Sequence, residues 1–240
     1  YWSDLGINKY LLKRYNVCEV DKYEYSKDNE IKKFKAFQGV LVYAYLVNDR
    51  YKVYIPQQKV SSKKEVNKFF HNTQYSKDVF GLKQLPDKCN NIIICAGEKD
   101  CLVTVAYGFN AVSFQTEAIM PEPNIIRGLK DKCDNLLICY DNDNAGHSQA
   151  KKISERYDLP IVKLPEGFKD VALYLPQHKA EAFKQLIEKS LSEHENKKHS
   201  AVFIKDHGYW KKHKGQEIEL SNFIIKVIAL ISSENNPRRI

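Results

Sequence analysis

Short apolar runs alternate with helix-spaced segments between residues 91 and 190, and this alternation constrains the fold of the chain most. The runs at 91–96, 111–114, 135–140 and 160–164 have the length of strands, and the segments at 99–107, 123–133, 145–157 and 178–190 have helical spacing. Strands that alternate with helices are joined by right-handed crossovers, which connect parallel strands. The sequence therefore predicts an α/β fold, a mostly parallel four-stranded sheet with helices on both faces.

Residues 1–90 are predicted to form a smaller α+β module that precedes this sheet. A short helix is expected at residues 10–15, and two runs rich in β-branched and aromatic residues, 40–45 and 51–56, flank the turn residues Asn48 and Asp49. The tyrosines of this hairpin are expected to pair across the strands in the core, although with Lys52 among them they also suit a stacking platform for single-stranded DNA. They are Tyr43, Tyr45, Tyr51 and Tyr54.

We divide the chain into the module at 1–90, the α/β domain at 91–192, and a linker with the truncated start of a following domain at 193–240. Strands are expected at 201–204 and 218–220 of that last part, and an apolar helix or strand at 223–231. The net charge of +8 divides into +7 over 1–90, −2 over 91–180 and +3 over 181–240. An acidic centre between basic flanks suits a metal site that handles a polyanion, while an ordinary lysine-rich surface is the simpler interpretation.

The six cysteines include no C-x-x-C pair, so we expect free thiols in a reducing cytoplasm and no zinc site. No run approaches the roughly 20 apolar residues of a membrane span, and the first residues do not resemble a signal peptide. The sequence thus predicts a cytoplasmic protein with no membrane contact.

Two acidic motifs follow predicted strands. Asp141 and Asp143 come directly after the run at 135–140, and Glu98 and Asp100 follow the run at 91–96. Ligands of parallel sheets gather at the carboxyl ends of the strands, and Mg²⁺ needs only one or two carboxylates beside water and phosphate oxygens. Taken singly, Asp141-x-Asp143 is more typical of a turn or a helix N-cap, and Glu98 and Asp100 could simply complement a helix dipole. Together they predict one acidic site.

These residues resemble the Toprim family, which is shared by bacterial primases, phage primase–helicases, topoisomerases and certain nucleases. The resemblance covers about residues 91–175 and rests on three elements: Gly97-x-x-Asp100, Asp141-x-Asp143-x-Ala145-Gly146, and Lys169-Asp170 beyond a Pro-x-Gly turn. The start of the chain, Tyr1-Trp2-x-x-Leu5-Gly6-Ile7, looks like the segment before Toprim in primases of phages and mobile elements. This resemblance implies a fused or associated helicase domain as a partner.

The resemblance also implies roles for matching positions. Asp141, Asp143 and Asp170 would ligate Mg²⁺ or Mn²⁺, with Glu98 as a further ligand, and Lys99 and Lys169 would contact phosphates. Asp100 matches the aspartate of the first motif and is expected in the catalytic group. One position departs from the family, because Ala96 stands where the first motif usually has its general acid/base glutamate. Glu98 is the nearest substitute in the sequence.

The expected function is that of a metal-dependent DNA primase core, which transfers nucleotides (NTPs) to make RNA primers on single-stranded DNA. Two alternatives stay open. The same cluster would serve a Toprim nuclease, although such nucleases accompany an ATPase and no P-loop is visible. Ala96 is also compatible with a catalytically silent nucleic-acid-binding module that seats an adjoining helicase.

Overall fold

The computed structural model describes residues 1–27, 30–35, 41–48, 50–56, 69–71, 78–199, 201–206 and 209–214. The chain forms two compact units, Tyr1–Lys184 and Gln185–Ile240. The predicted domain boundaries at 90 and 192 stay predictions. Among the described residues, no helix has both the length and the apolar character needed to cross a membrane. All six cysteines are free, as expected from their spacing.

The first unit opens with a 3-10 turn at Ser3–Leu5 and helix α1 at Lys9–Arg14. Asn8 caps α1, because its side-chain oxygen accepts a 2.8 Å hydrogen bond from the Leu11 amide. Strands β1 (Val17–Glu19), β2 (Lys22–Lys27) and β3 (Glu30–Lys35) follow, and β2 and β3 form a two-stranded antiparallel sheet of their own.

Strands β4 (Tyr43–Val47), β5 (Arg50–Tyr54) and β6 (Phe69–His71) join β1 in an antiparallel sheet of order β1-β4-β5-β6. The predicted hairpin is confirmed, with Tyr43 opposite Tyr54, while Asp49 of its turn lies outside the described residues. Tyr43, Tyr45 and Tyr54 are buried, so these three belong to the core. The side chain of Tyr51 is not among those described.

A second, mostly parallel sheet has the order β10-β8-β9-β7. Its strands are β7 (Val79–Phe80), β8 (Cys89–Cys95), β9 (Asn110–Phe114) and β10 (Cys133–Cys139), and only β7 runs antiparallel. Three of the four predicted strands are confirmed. The fourth, at 160–164, is wrong, since it is reduced to one bridge between Ile161 and Ile138. Prolines at 160 and 165 enclose that run and lack the amide that a ladder needs.

Helices cover both faces of this sheet because alternate residues of each strand point to opposite sides. Helices α3 (Pro123–Lys130) and α4 (Asn144–Tyr157) pack on the face that carries Ile92, Ile94 and Ile138. Helix α2 (Glu98–Ala106) lies on the other face, where Thr104 and Cys95 are in hydrogen-bond contact at 3.5 Å. The sheet thereby brings the ends of β8, β9 and β10 to one edge.

Helix α5 (Val171–His199) follows and is interrupted at Lys179, whose φ of 66° is not helical. The second unit contains the end of α5 and a hairpin of β11 (Ala201–Asp206) and β12 (Tyr209–Lys214). The strand predicted at 201–204 is confirmed. The elements predicted at 218–220 and 223–231 lie outside the described residues.

Candidate functional site

Asp141 and Asp143 lie in the turn between β10 and α4. Asp143 is the N-cap of α4, and its Oδ1 accepts a 3.0 Å hydrogen bond from the Gly146 amide. That hydrogen bond holds the pKa of Asp143 below its usual value. The capping interpretation is therefore confirmed for Asp143, and its half-exposed carboxylate still has lone pairs for another ligand.

Gly146 permits the close approach of chain segments in this turn. A Cβ atom at Gly146 would collide with the carbonyl oxygen of Asp141 and would lie 2.8 Å from Oε1 of Glu117. Only glycine fits this position without displacing one of them. The glycine of the Asp-x-Asp-x-Ala-Gly motif thus keeps Asp141 directly against the start of α4.

Lys169 bridges the two aspartates of this turn. Its Nζ lies 3.7 Å from Oδ2 of Asp141 and 3.7 Å from Oδ2 of Asp143. The Lys169 carbonyl accepts a 2.6 Å hydrogen bond from the Asn142 amide, and the Asn142 side chain donates to the Pro165 carbonyl at 3.2 Å. Asn142 therefore ties the loop that carries Lys169 and Asp170 to the Asp141 turn.

A second group forms around Lys99. Its Nζ donates to Oδ2 of Asp170 at 2.8 Å and lies 3.9 Å from Oδ1 of Asp100. Asp170 also caps α5, since its Oδ1 accepts from the Leu173 amide at 2.8 Å. Asp100 is 6% exposed, and its Oδ1 is buried without a hydrogen-bond partner. A buried carboxylate oxygen without a donor is a position that a cation would stabilise.

The carboxylates of the two groups act on one another through space. The pKa of Asp100 is raised to about 7, chiefly by burial, which Lys99 opposes and the charges of Asp170 and Asp141 reinforce. Burial also raises the pKa of Asp141, with Asp170 as the largest charged contributor. Burial lowers the pKa of Lys99, but Asp100 and Asp170 outweigh it and the net shift is upward. The site therefore has a surplus of negative charge that two lysines only partly balance.

Glu98 lies in a different environment from these carboxylates. It is the first residue of α2 and is 1% exposed. Its Oε2 accepts a 2.7 Å hydrogen bond from Lys52 of β5, whose Nζ also donates to the Gln115 carbonyl at 2.9 Å. The structure thus places Glu98 in a buried ion pair with the antiparallel sheet, and its assignment as catalyst and metal ligand stays a prediction.

Glu117 is a site residue that the sequence analysis missed. It lies three residues beyond the end of β9, and its Oε1 lies beside Gly146 at the start of α4, 2.8 Å from where a Cβ atom would stand. Burial raises the pKa of Glu117, followed by the charge of Asp141. Its Oε1 is buried and has no hydrogen-bond partner. An acidic residue just after a parallel strand was the available signal, since all such strand ends meet at one edge.

The donor set of the site fits a hard divalent cation such as Mg²⁺ or Mn²⁺. Among the described residues, no three His, Cys, Asp or Glu side chains lie close enough to hold an ion as they stand. Mg²⁺, however, keeps several waters and needs only one or two carboxylates beside substrate oxygens. Asp141 and Asp143 already share the positive charge of Lys169, and Asp100 offers an oxygen without a donor. These residues suit a metal that arrives with a phosphate.

Comparison with known proteins concerns the fold that carries these residues. Residues 86–179, 94 of the 240, match a family model described as Toprim-like. The chain is similar to the DnaG catalytic core, with TM-score 0.61 and 17% identity over 79% of this chain and 71% of that one. A DNA primase domain from Pseudomonas aeruginosa has TM-score 0.61 and 15% identity over 80% and 71%. The primase fragment of the bacteriophage T7 primase-helicase has TM-score 0.50 and 16% identity over 79% and 72%.

At identities of 15–17% these structures establish the fold alone. No curated protein matches the chain at a significant level. Residues 86–179 thus match the Toprim-like family, and the described chain has the fold of primase catalytic cores. The predicted fold class is confirmed, as is the resemblance from which it was drawn.

Proposed function

We propose that this chain is the catalytic core of a metal-dependent DNA primase, which joins NTPs into RNA primers on a single-stranded DNA template. The observation that carries the proposal is the arrangement of Asp100, Asp141, Asp143 and Asp170 at the carboxyl edge of the parallel sheet, in a chain with the fold of primase cores. The negative surplus at this edge is what a divalent cation bound to a triphosphate would neutralise.

Each residue has a distinct part in this proposal. Asp141 and Asp143 would hold Mg²⁺ or Mn²⁺, and a bound metal neutralises phosphate charge and aligns an in-line displacement. Lys169, whose side chain is 61% exposed, would turn from the two aspartates to a phosphate oxygen of the nucleotide. Lys99 is held by Asp170 beside Asp100, which places a second ammonium at the same edge.

The partners follow from this function. The template and the NTPs are polyanions, and the basic charge of residues 1–90 would favour contact with the template backbone. One of the similar structures is the primase part of a primase-helicase, so we include a fused or associated helicase and a cytoplasmic site of action in the proposal.

Primer synthesis tests the proposal directly. The chain is incubated with single-stranded DNA, labelled NTPs and Mg²⁺ or Mn²⁺, and dinucleotides are resolved on a gel. Wild type should make dinucleotides, Asp141→Asn should lose that activity, and Asp134→Asn should keep it, because Asp134 is an exposed carboxylate on β10 away from the strand end. Full activity of Asp141→Asn would refute the assignment.

One observation favours a second candidate, a nucleic-acid-binding module without catalytic activity. Ala96 removes the usual first-motif carboxylate, and Glu98 is engaged by Lys52. Such a module would bind single-stranded DNA in a salt-dependent manner. Isothermal titration with Mn²⁺ separates the candidates, because only the primase requires the Asp141 site to bind the ion.

A further inference from the structure

The carboxyl end of β8 lacks a carboxylate at position 96, where the residue is alanine. Strand β8 lies between β9 and β10 in the sheet, and Ala96 follows its last residue. Glu98 and Asp100, the acidic residues that come next, belong to α2, and Glu98 is paired with Lys52. Position 96 itself contributes only a methyl group to the edge where Asp141 and Asp143 lie.

Glu117 reaches this position from the neighbouring strand. It follows β9, whereas Gly146, beside which its Oε1 lies, comes after β10. Because β8 separates those two strands, and Ala96 packs on the face of the sheet that α4 covers, we infer that the Glu117 side chain crosses the end of β8 on the side of Ala96. A longer side chain at position 96 would compete for that space. The small residue at 96 and the long acidic one at 117 are thus complementary.

The carboxylate of Glu117 also has an oxygen available to a ligand. Its Oε1 is buried without a hydrogen-bond partner and lies against Gly146, where any larger residue would meet it. A second, independent observation points to a cation at the same edge. Asp100 is 94% buried, and its Oδ1 has no hydrogen-bond partner, with the Lys99 ammonium 3.9 Å away. With Oε1 of Glu98, three buried carboxylate oxygens at this sheet edge have no donor, and Lys52 and Lys99 are the two cations paired with them. Such oxygens are costly unless further positive charge compensates them.

We propose that Glu117 supplies, from β9, the carboxylate that position 96 lacks, and that it contributes to binding of the divalent cation at Asp141 and Asp143. The inference rests on the proposed metal-dependent function and adds a residue to that site. It also gives Glu98 a structural part, as partner of Lys52, and leaves the carboxylate of the first motif to Glu117.

The test measures Mn²⁺ affinity in the absence of nucleotide, from the electron paramagnetic resonance signal of the free ion. Glu117→Gln should weaken Mn²⁺ binding about 10- to 100-fold, the range typical of groups that support a metal site. Glu155→Gln, an exposed glutamate of α4, is the matched control and should bind Mn²⁺ as wild type does. Circular dichroism establishes that each variant is folded.

An exchange of the two positions separates a role in metal binding from a role in packing. Ala96→Glu in the wild-type background should impair folding or Mn²⁺ binding, because two side chains then compete for one space. The double variant Ala96→Glu with Glu117→Ala should recover Mn²⁺ affinity to within about threefold of wild type, since either position would then place one carboxylate at the metal. If Glu117→Gln does not fold, this double variant beside Glu117→Ala carries the test.

The outcomes also distinguish this inference from the function on which it rests. Unchanged Mn²⁺ affinity in folded Glu117→Gln, with loss of affinity in Asp141→Asn, would overturn the role of Glu117 and leave the primase proposal in place. Absence of Mn²⁺ binding in wild type would overturn both. Weakened binding in Glu117→Gln without recovery in the double variant would overturn the exchange of position 96 for 117.

Discussion

Replacement of Asp100 by asparagine should stabilise the protein at neutral pH. Burial and neighbouring carboxylates raise the pKa of Asp100 from 3.8 to about 7, so its ionised form is unfavourable in the folded state. A difference of about 3 pKa units corresponds to about 4 kcal/mol at 1.36 kcal/mol per unit. Since Lys99 loses one of its two acidic neighbours in the variant, we expect a gain on the order of 2 to 4 kcal/mol.

The sign of this effect depends on pH. The folded pKa lies above the unfolded one, so ionisation of Asp100 destabilises the wild type increasingly from about pH 4 to pH 7 and fully above it. Asp100→Asn should therefore raise Tm by about 5 to 15 °C at pH 8, and the gain should shrink towards pH 4. Asp134→Asn, in an exposed position, should leave Tm within a degree or two.

Thermal unfolding followed by circular dichroism, with EDTA present, measures both values. A variant that is less stable than wild type at pH 8 would refute the assignment of Asp100 as a buried charge that Lys99 compensates only in part. An equal gain at pH 4 and pH 8 would also refute it, because the effect would then not come from ionisation.

Three further predictions concern the packing of the site. Lys52→Met should destabilise the first unit by about 3 to 5 kcal/mol in urea unfolding, because it leaves Glu98 buried without its cation. The double variant with Glu98→Leu should recover most of that stability. Equal stability of the single and double variants would contradict this. Gly146→Ala should lower the free energy of unfolding by more than about 2 kcal/mol, because the added Cβ collides with the Asp141 carbonyl. The control is Gly128→Ala in α3, where the Cβ meets open space, and it should be neutral or stabilising by up to about 1 kcal/mol. Asn142→Ala should remove the side-chain hydrogen bond to the Pro165 carbonyl and so loosen the loop that carries Lys169. It should weaken Mn²⁺ binding less than Asp141→Asn does. A larger loss of Mn²⁺ affinity in Asn142→Ala would contradict the supporting role of this loop.

The periodic parts of the fold were predictable from sequence because local pattern determines them. Strands β8, β9 and β10 are apolar runs of strand length, and α2, α3 and α4 have helical spacing between them. The run at 160–164 failed because its prolines limit pairing, which an apolar pattern does not show. Strand β7 was missed because it has two residues, and its pairing with β9 is non-local.

In the acidic site, too, the sequence predicted contacts between residues close in the chain and missed contacts between distant ones. Asp141 and Asp143 lie within one turn, so local sequence placed them together. The contacts of Lys99 with Asp170 and of Lys52 with Glu98 join residues 71 and 46 positions apart, and only the family resemblance suggested the first. Nothing in the sequence paired Glu98 with Lys52, because that contact depends on how the antiparallel sheet meets α2. Glu117 was missed for a related reason, as its neighbour Asp141 lies two strands away.

The most direct test of the central claim is the Mn²⁺ affinity of the intact chain with and without the Asp141 carboxylate, measured by electron paramagnetic resonance at pH 7.5. We expect that wild type binds the ion, that Asp141→Asn weakens binding at least about tenfold, and that Asp134→Asn binds as wild type does. Equal Mn²⁺ affinity in wild type and Asp141→Asn would contradict the assignment of a metal centre to this edge of the sheet.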